Sequence, residues 1–345
     1  MRKSLLIASC LCVLLLIAGT GLFVSYAAKQ FVRGSLFFGV SGEILANPPI
    51  ASEPGITNRI AHGIDPISLL NNKPTGAANA ATSYIEVVRL LAAREAQGTL
   101  EYSSPGFLTI SDTEFEIFMD GVRQVNCDFS RESLILDGKP VRLAPTVDVS
   151  DTLGHLSWFR KMGGAVLARG KRHETRGETE AAVRCYEGAV KFGFDGEKGR
   201  ESLIQALIGA SIQKSAAQEL REFFESVGDE ENRQRWSDFL ADLDRFVGKF
   251  KDKTKMLTKT VGLGPEAVAN GLWILEHDED HLFRREALVG LGVQKFFAPG
   301  VIIPVLGRTA VSDPDPYVRE AAQNALKLAP SLSAGREENP ARNPD

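Results

Sequence analysis

His277 and His281 stand four residues apart with Asp278, Glu279 and Asp280 between them. On one continuous helix that spacing would put both imidazoles on a single face, where they could hold a metal ion. An internal repeat described below places them instead in a turn between helices, where the shared face is lost, so these residues read as a solvated capping turn and no metal is assigned. Asp313-Pro314-Asp315 offers two carboxylates to Ca²⁺ or Mg²⁺, yet no third follows at loop spacing, and helix capping is the simpler role. Lys249, Lys251, Lys253, Lys255 and Lys259 form the one basic cluster; with Asp252 inside it and Gly262 and Gly264 soon after, it reads as a solvated linker. Cys127 and Cys185 lack a Cys-x-x-Cys context and read as buried thiols. Gly262-Leu263-Gly264-Pro265 has neither the third glycine nor the Lys-Ser or Lys-Thr of a phosphate loop. His62, His155 and His173 have no acid, serine or cysteine at a spacing that reveals a catalytic set, so no catalytic residue and no cofactor is expected.

The elements that would position any such chemistry begin with an apolar N-terminus. Residues 4–28 carry no charge. As a helix rising 1.5 Å per residue they are long enough for a hydrocarbon core of roughly 30 Å. Arg2 and Lys3 before them favour a cytoplasmic N-terminus, although Lys29 and Arg33 stand on the other flank. The alternative is a cleaved signal peptide ending at Ser25-Tyr26-Ala27, but Leu5 to Val24 is longer than an ordinary signal core. The expectation is therefore a single-pass anchor in the cell inner membrane, residues 1–28, with the rest of the chain periplasmic or extracytoplasmic, or secreted if the segment is cleaved. The formal net charge is −4, and Arg2 and Lys3 supply +2 within residues 1–28, which leaves −6 on the remainder and argues against a nucleic-acid partner.

Residues 29–76 read as a Pro-rich spacer, with Asn47-Pro48-Pro49, Glu53-Pro54-Gly55, Asp65-Pro66 and Lys73-Pro74 denying a long helix its donors. Residues 77–150 read as a small helical region. Ala81, Tyr84, Ile85, Val88 and Leu91 share one face of a first helix. A second helix starts at Ser111, which forms a capping box with Glu114 and is followed by Phe115, Phe118, Met119 and Val122 on one stripe. A short hairpin about Asp137-Gly138 follows, with Pro140 restricting it to an edge. Residues 151–247 return to helical periodicity, opened by Leu153, Leu156 and Trp158 and closed by Trp236, Phe239, Leu240, Leu243, Phe246 and Val247. Residues 248–263 are the basic linker, and 330–345, rich in Pro, Glu, Arg and Asn, read as a disordered tail.

Gly170, Gly177, Ala182, Tyr186 and Ala189 fall at the small and aromatic positions of a tetratricopeptide repeat, so residues 163–196 resemble one such helical hairpin, an ordinary helical hairpin being the alternative. Phe194 lies where the closing proline would be, and no second copy follows 34 residues later. The C-terminal part repeats itself more plainly. Asp278-Glu279-Asp280-His281-Leu282-Phe283-Arg284, followed by Ala287, Gly290 and Leu291, recurs 35 residues on as Asp313-Pro314-Asp315-Pro316-Tyr317-Val318-Arg319, followed by Ala322, Ala325 and Leu326. This pattern over residues 264–329 resembles HEAT repeats of the short, phycobilisome-lyase type. The resemblance implies that Asp278 or Asp280, and Asp313 or Asp315, cap the second helix of each unit, and that Arg284 and Arg319 link neighbouring repeats. Two units are fewer than a free-standing stack needs, so they should pack on the preceding helices.

The fold expected is mainly α: an N-terminal transmembrane helix, a helical-hairpin domain and C-terminal α-solenoid-like HEAT repeats. The chain also resembles membrane-anchored helical proteins of bacterial envelopes. The function expected is a non-catalytic interaction or scaffold module with another protein as partner and the membrane reached through the N-terminal helix. A structural envelope component and an enzyme of unrecognised class are the alternatives.

Overall fold

In the computed structural model the described residues are 48, 50, 60–103, 107–129, 133–136, 139–142, 149–198, 203–262 and 264–327. The expected anchor, most of the spacer and the expected disordered tail lie outside them. Among the described residues the protein is mainly helical, with eleven α-helices and six short strands.

A four-residue helix, α1 (Pro66–Leu69), starts where Asp65 accepts the Ile67 N–H at 3.0 Å and Pro66 occupies the first turn. Strand β1 (Gly76–Asn79) leads into α2 (Ala80–Ala96), whose buried face is Ala81, Tyr84, Ile85, Val88 and Leu91 as the spacing predicts, joined by Ala80 and Val87. Strands β2 (Tyr102–Ser103) and β3 (Phe107–Leu108) pair antiparallel before α3 (Asp112–Val122). The capping box of α3 is complete: Ser111 Oγ accepts the Glu114 N–H at 3.2 Å and Glu114 accepts the Ser111 N–H at 2.7 Å. Glu114 is buried and also meets Arg94 Nη1 at 2.9 Å, which ties α2 to α3. Strand β4 (Gln124–Asn126) pairs parallel with β1, and β5 (Ser133–Leu136) pairs antiparallel with β6 (Lys139–Arg142), the expected hairpin.

Four long helices follow: α4 (Val149–Thr175), α5 (Thr179–Lys198), α6 (Leu203–Ser226) and α7 (Glu230–Thr258). They form two antiparallel hairpins with the same turn. Gly177 and Gly228 both sit at φ 72°, the left-handed conformation glycine adopts without penalty. In each turn the glycine N–H returns to the carbonyl three residues back, and the following acidic residue, Glu178 or Asp229, returns its N–H five back. The second copy of the hairpin does exist, but the turns lie 51 residues apart rather than 34, because the helices run far longer than a tetratricopeptide unit. A Cβ on Gly170 would lie 2.5 Å from the Tyr186 ring, so the glycine is what admits that ring between α4 and α5.

The tightest crossing is α5 on α6. A Cβ at Gly209 would meet the Gly193 carbonyl oxygen at 2.4 Å and the Glu197 nitrogen at 2.6 Å, both backbone atoms that cannot swing aside. Gly to Ala inside a helix ordinarily gains about 0.5–1 kcal/mol. Here the sign reverses: Gly209→Ala is expected to cost about 1–3 kcal/mol through overpacking, read as a lowered midpoint in chemical unfolding of the full chain in detergent.

Helix α7 overturns the expectation of a basic linker at 248–263. It runs unbroken to Thr258, and Phe250, Lys253 and Leu257 on one side are buried. Lys251 and Lys255, two positions either side of Lys253, lie on the opposite side of the helix and face water, as do Lys249 and Lys259, while Lys253 points inward.

Four shorter helices close the described chain: α8 (Pro265–His277), α9 (His281–Gln294), α10 (Pro299–Ser312) and α11 (Pro316–Lys327). One apolar core runs from α2 through α7 and takes in Ile274, Leu282, Phe283 and Ala287 of the first pair. A second core joins Val268, Leu272 and Leu275 of α8 to Ile302, Leu306, Val318 and Ala322 of the last pair.

Candidate functional site

Among the described residues, three gatherings of polar side chains bear on function. The first is an open groove between α4 and α6, with a volume of about 730 Å³. Small residues on the facing sides, Gly163, Gly164 and Ala168 on α4 with Ser211 and Ser215 on α6, keep it open. Four cations line it, Arg160, Lys171, Arg172 and Arg176, against one carboxylate, Glu219. Lys171 lies 3.6 Å from Glu219 and 2.9 Å from Glu174. Arg172 Nη1 is buried without a hydrogen-bond partner. Burial, reinforced by the neighbouring Arg169 and Arg176, holds the Arg172 guanidinium below its ordinary pKa, which is the signature of a cation that lacks a counter-charge.

The second is a closed seam that fastens the segment 60–71 onto the long helices. His62 stacks on Phe246 with ring centres 4.2 Å apart. Its Nε2 is 2.6 Å from Glu197 and its Nδ1 3.8 Å from Asp242. Asp242 also accepts the N–H groups of Gly63 and Ile64 at 2.8 and 3.0 Å, Glu197 accepts from Gln213, and Glu187 accepts the Asn71 N–H at 3.0 Å. Arg235 donates in return to the Leu69 carbonyl. Desolvation pushes the Glu187 carboxyl up to about 7. A histidine facing two carboxylates resembles acid–base machinery, but the side chains are buried, Asp242 is engaged by the Gly63 and Ile64 N–H groups, and Glu197 is shared between His62 and Gln213. What they do is pin residues 60–71 of the proline-rich segment onto the long helices.

The third is the ladder of turns at the C-terminus, where all six residues singled out in the sequence sit. Asp280 accepts the Leu282 N–H, and Asp315 accepts those of Tyr317 and Val318, so these two are the helix caps. Asp278 and Asp313 take the other role implied by the resemblance. Each accepts the N–H of the residue two positions on and also a cation from the unit before it. Lys253 reaches Asp278 at 2.7 Å, and Arg284 forks onto Asp313 with bonds of 3.0 and 2.9 Å. Burial raises the Asp278 carboxyl to about 6, partly offset by Lys253. Arg319, by contrast, turns back to the Asp313 and Pro314 carbonyls of its own turn.

His277 closes α8, stacked on Trp273, and His281 opens α9, so the pair does not share a helix face. His173 pairs with Glu178 at the first long turn. The His155 side chain lies outside the described residues. Cys127 and Cys185 are not joined; Cys185 is buried, and desolvation pushes its thiol up to about 12. The groove and the seam escaped the sequence because their members come together only across distant helices. The spacing of Gly163, Gly164 and Ala168 against Ser211 and Ser215 is the one local trace the groove leaves. No helix among the described residues is long and apolar enough to cross a membrane. Comparison with protein-family models, with curated proteins and with solved structures found nothing that matches the chain.

Proposed function

We propose that the chain is a membrane-tethered docking protein that holds an acidic segment of a protein partner in the groove between α4 and α6, outside the cytoplasm, without catalysing a reaction. The observation that carries this reading is charge. Four cations face one carboxylate in an open cleft, and a buried Arg172 nitrogen has no hydrogen-bond partner. A row of cations over a floor of small residues suits an extended chain bearing Asp or Glu, because complementary charge both attracts and orients it. The tether is residues 4–28, on the strength of their length and lack of charge. The C-terminal pairs extend the helical hairpins as HEAT-like units in an α-solenoid, with the Lys253, Arg284 series of turn bonds supporting that reading.

An enzyme would need a nucleophile or an acid–base pair open to a substrate. The groove lining offers Ser211 and Ser215 with no histidine or cysteine among the lining residues, and the His62–Glu197 pair is buried, with side chains 7% and 2% exposed. The test uses the full chain in detergent and a fluorescein-labelled hexaglutamate peptide followed by anisotropy. Binding that weakens with salt and falls about tenfold or more in Arg172→Glu is the expected result. Equal binding of a hexalysine peptide, or affinity untouched by Arg172→Glu, would sink the proposal.

A further inference from the structure

The two C-terminal pairs can be compared residue by residue at their spacing of 35. The first aspartate of each turn is held by a cation from the unit before: Asp278 by Lys253, Asp313 by Arg284. Arg319 is the next cation in that series. Its Nη1 donates to the Asp313 carbonyl as Arg284 Nη1 donates to that of Asp278. The Nε and Nη2 that on Arg284 grip the following unit's carboxylate have no such acceptor on Arg319 among the described residues.

The apolar residues tell the same story. On the side of α8 that faces the second pair, Val268 and Leu272 are 2% and 6% exposed. Their equivalents on α10 are Ile303, 45% exposed, and Gly307, where an added Cβ would meet open space. Val311, one turn further along the same stripe, is 81% exposed. Ends of helical stacks usually close with a polar outer face. Gln323, standing where the first pair has Leu288, follows that rule; Ile303 and Val311 do not.

We infer that the Ile303 and Val311 face of α10, together with Arg319 of α11, is a docking face for a helical segment of a different protein, one carrying an aspartate or glutamate in the turn that ends the docked helix and opens the next, as Asp313 ends α10. The helix lies along Ile303 and Val311, Gly307 lets it approach closely, and Arg319 forks its Nε and Nη2 onto the carboxylate. A second copy of this chain does not offer the acceptor from its own series, since Asp278 is buried under Lys253 and Asp313 is engaged by Arg284. The face is separate from the α4–α6 groove, so either can fail without the other.

The experiment places a photo-crosslinking amino acid at Gly307 of the full chain, in membranes of the cells that make it, and maps the linked peptide. The expected adduct is one peptide of another protein with Asp or Glu at a helix-opening turn. Its yield falls about tenfold in Arg319→Gln and in Val311→Asp, and is unchanged in Arg172→Glu. Val311 already stands in solvent, so its replacement disturbs no core, and an unshifted thermal midpoint of that variant checks the point. Linkage to residues 328–345 of the same chain, to a second copy, or to a segment with no carboxylate overturns the inference. So does the absence of an adduct, or a yield that neither Arg319→Gln nor Val311→Asp changes.

Discussion

Asp195→Ala is expected to destabilise the fold by about 3–5 kcal/mol, the cost of leaving one member of a buried ion pair without its partner. Lys191 and Asp195 lie one turn apart on α5 with side chains only 2% and 3% exposed, and the Lys191 Nζ is 2.6 Å from Asp195 Oδ1. Tyr84 of α2 donates to the same carboxylate at 2.9 Å, with its ring edge-on to Phe192 at 4.8 Å. Burial raises the Asp195 carboxyl, and Lys191 and Tyr84 draw it back down, so the three groups are held as one unit. Removing the carboxylate strands the buried Lys191 ammonium and leaves the Tyr84 hydroxyl without its acceptor. The double variant Lys191→Met, Asp195→Asn removes both charges and keeps an acceptor for Tyr84, and it should recover most of the loss. Urea midpoints of the two variants and the wild type decide the matter. A double variant as unstable as Asp195→Ala would mean that packing around the pair, rather than the stranded charge, sets the cost.

How far such a core can be read in advance depends on the distance over which its residues act. Ser111 and Glu114 are three apart, and their box is written in the local sequence. The same holds for the stripes on α2 and α3, and for Asp280 and Asp315, whose capping bonds reach two residues forward. Gly170 beneath Tyr186 is legible because a fixed helical spacing brings them together. His62 and Glu197 are 135 positions apart, and no periodicity in the chain connects them. Lys253 was hidden differently. Five lysines within eleven residues look solvated, and only the helical turn of α7 shows that one of them faces the core while its neighbours do not. The second long hairpin does not show at a period of 34 residues because α6 and α7 have 24 and 29 residues, too long for that period. Its turn, Gly228-Asp229 after Gly177-Glu178, was the readable trace.

The join between the long helices and the C-terminal pairs hangs on that inward lysine. Lys253 bonds Asp278 at 2.7 Å, with both side chains buried, and its Nζ lies 4.4 Å from the Phe283 ring centre. Lys253→Met keeps the apolar stem and removes the charge, so Asp278 faces a dry interface alone. Desolvation already raises Asp278 to about 6 while Lys253 counters it. Without the lysine its folded pKa climbs further above the unfolded value, and the folded state binds the proton that the unfolded state has released. The variant's deficit against wild type is therefore largest at high pH, about 2–3 kcal/mol at pH 8, and shrinks as pH falls toward 5, where Asp278 is neutral and needs no counter-charge. Unfolding midpoints at pH 8 and pH 5 give the two values. Proteolysis at pH 8 adds a second reading: cleavage of the variant between Leu257 and Pro265, with α2–α7 left intact, shows that the pair binds the C-terminal units to the rest. A deficit that stays constant between pH 5 and pH 8 would assign the loss to packing against Phe283 instead of to the charge on Asp278.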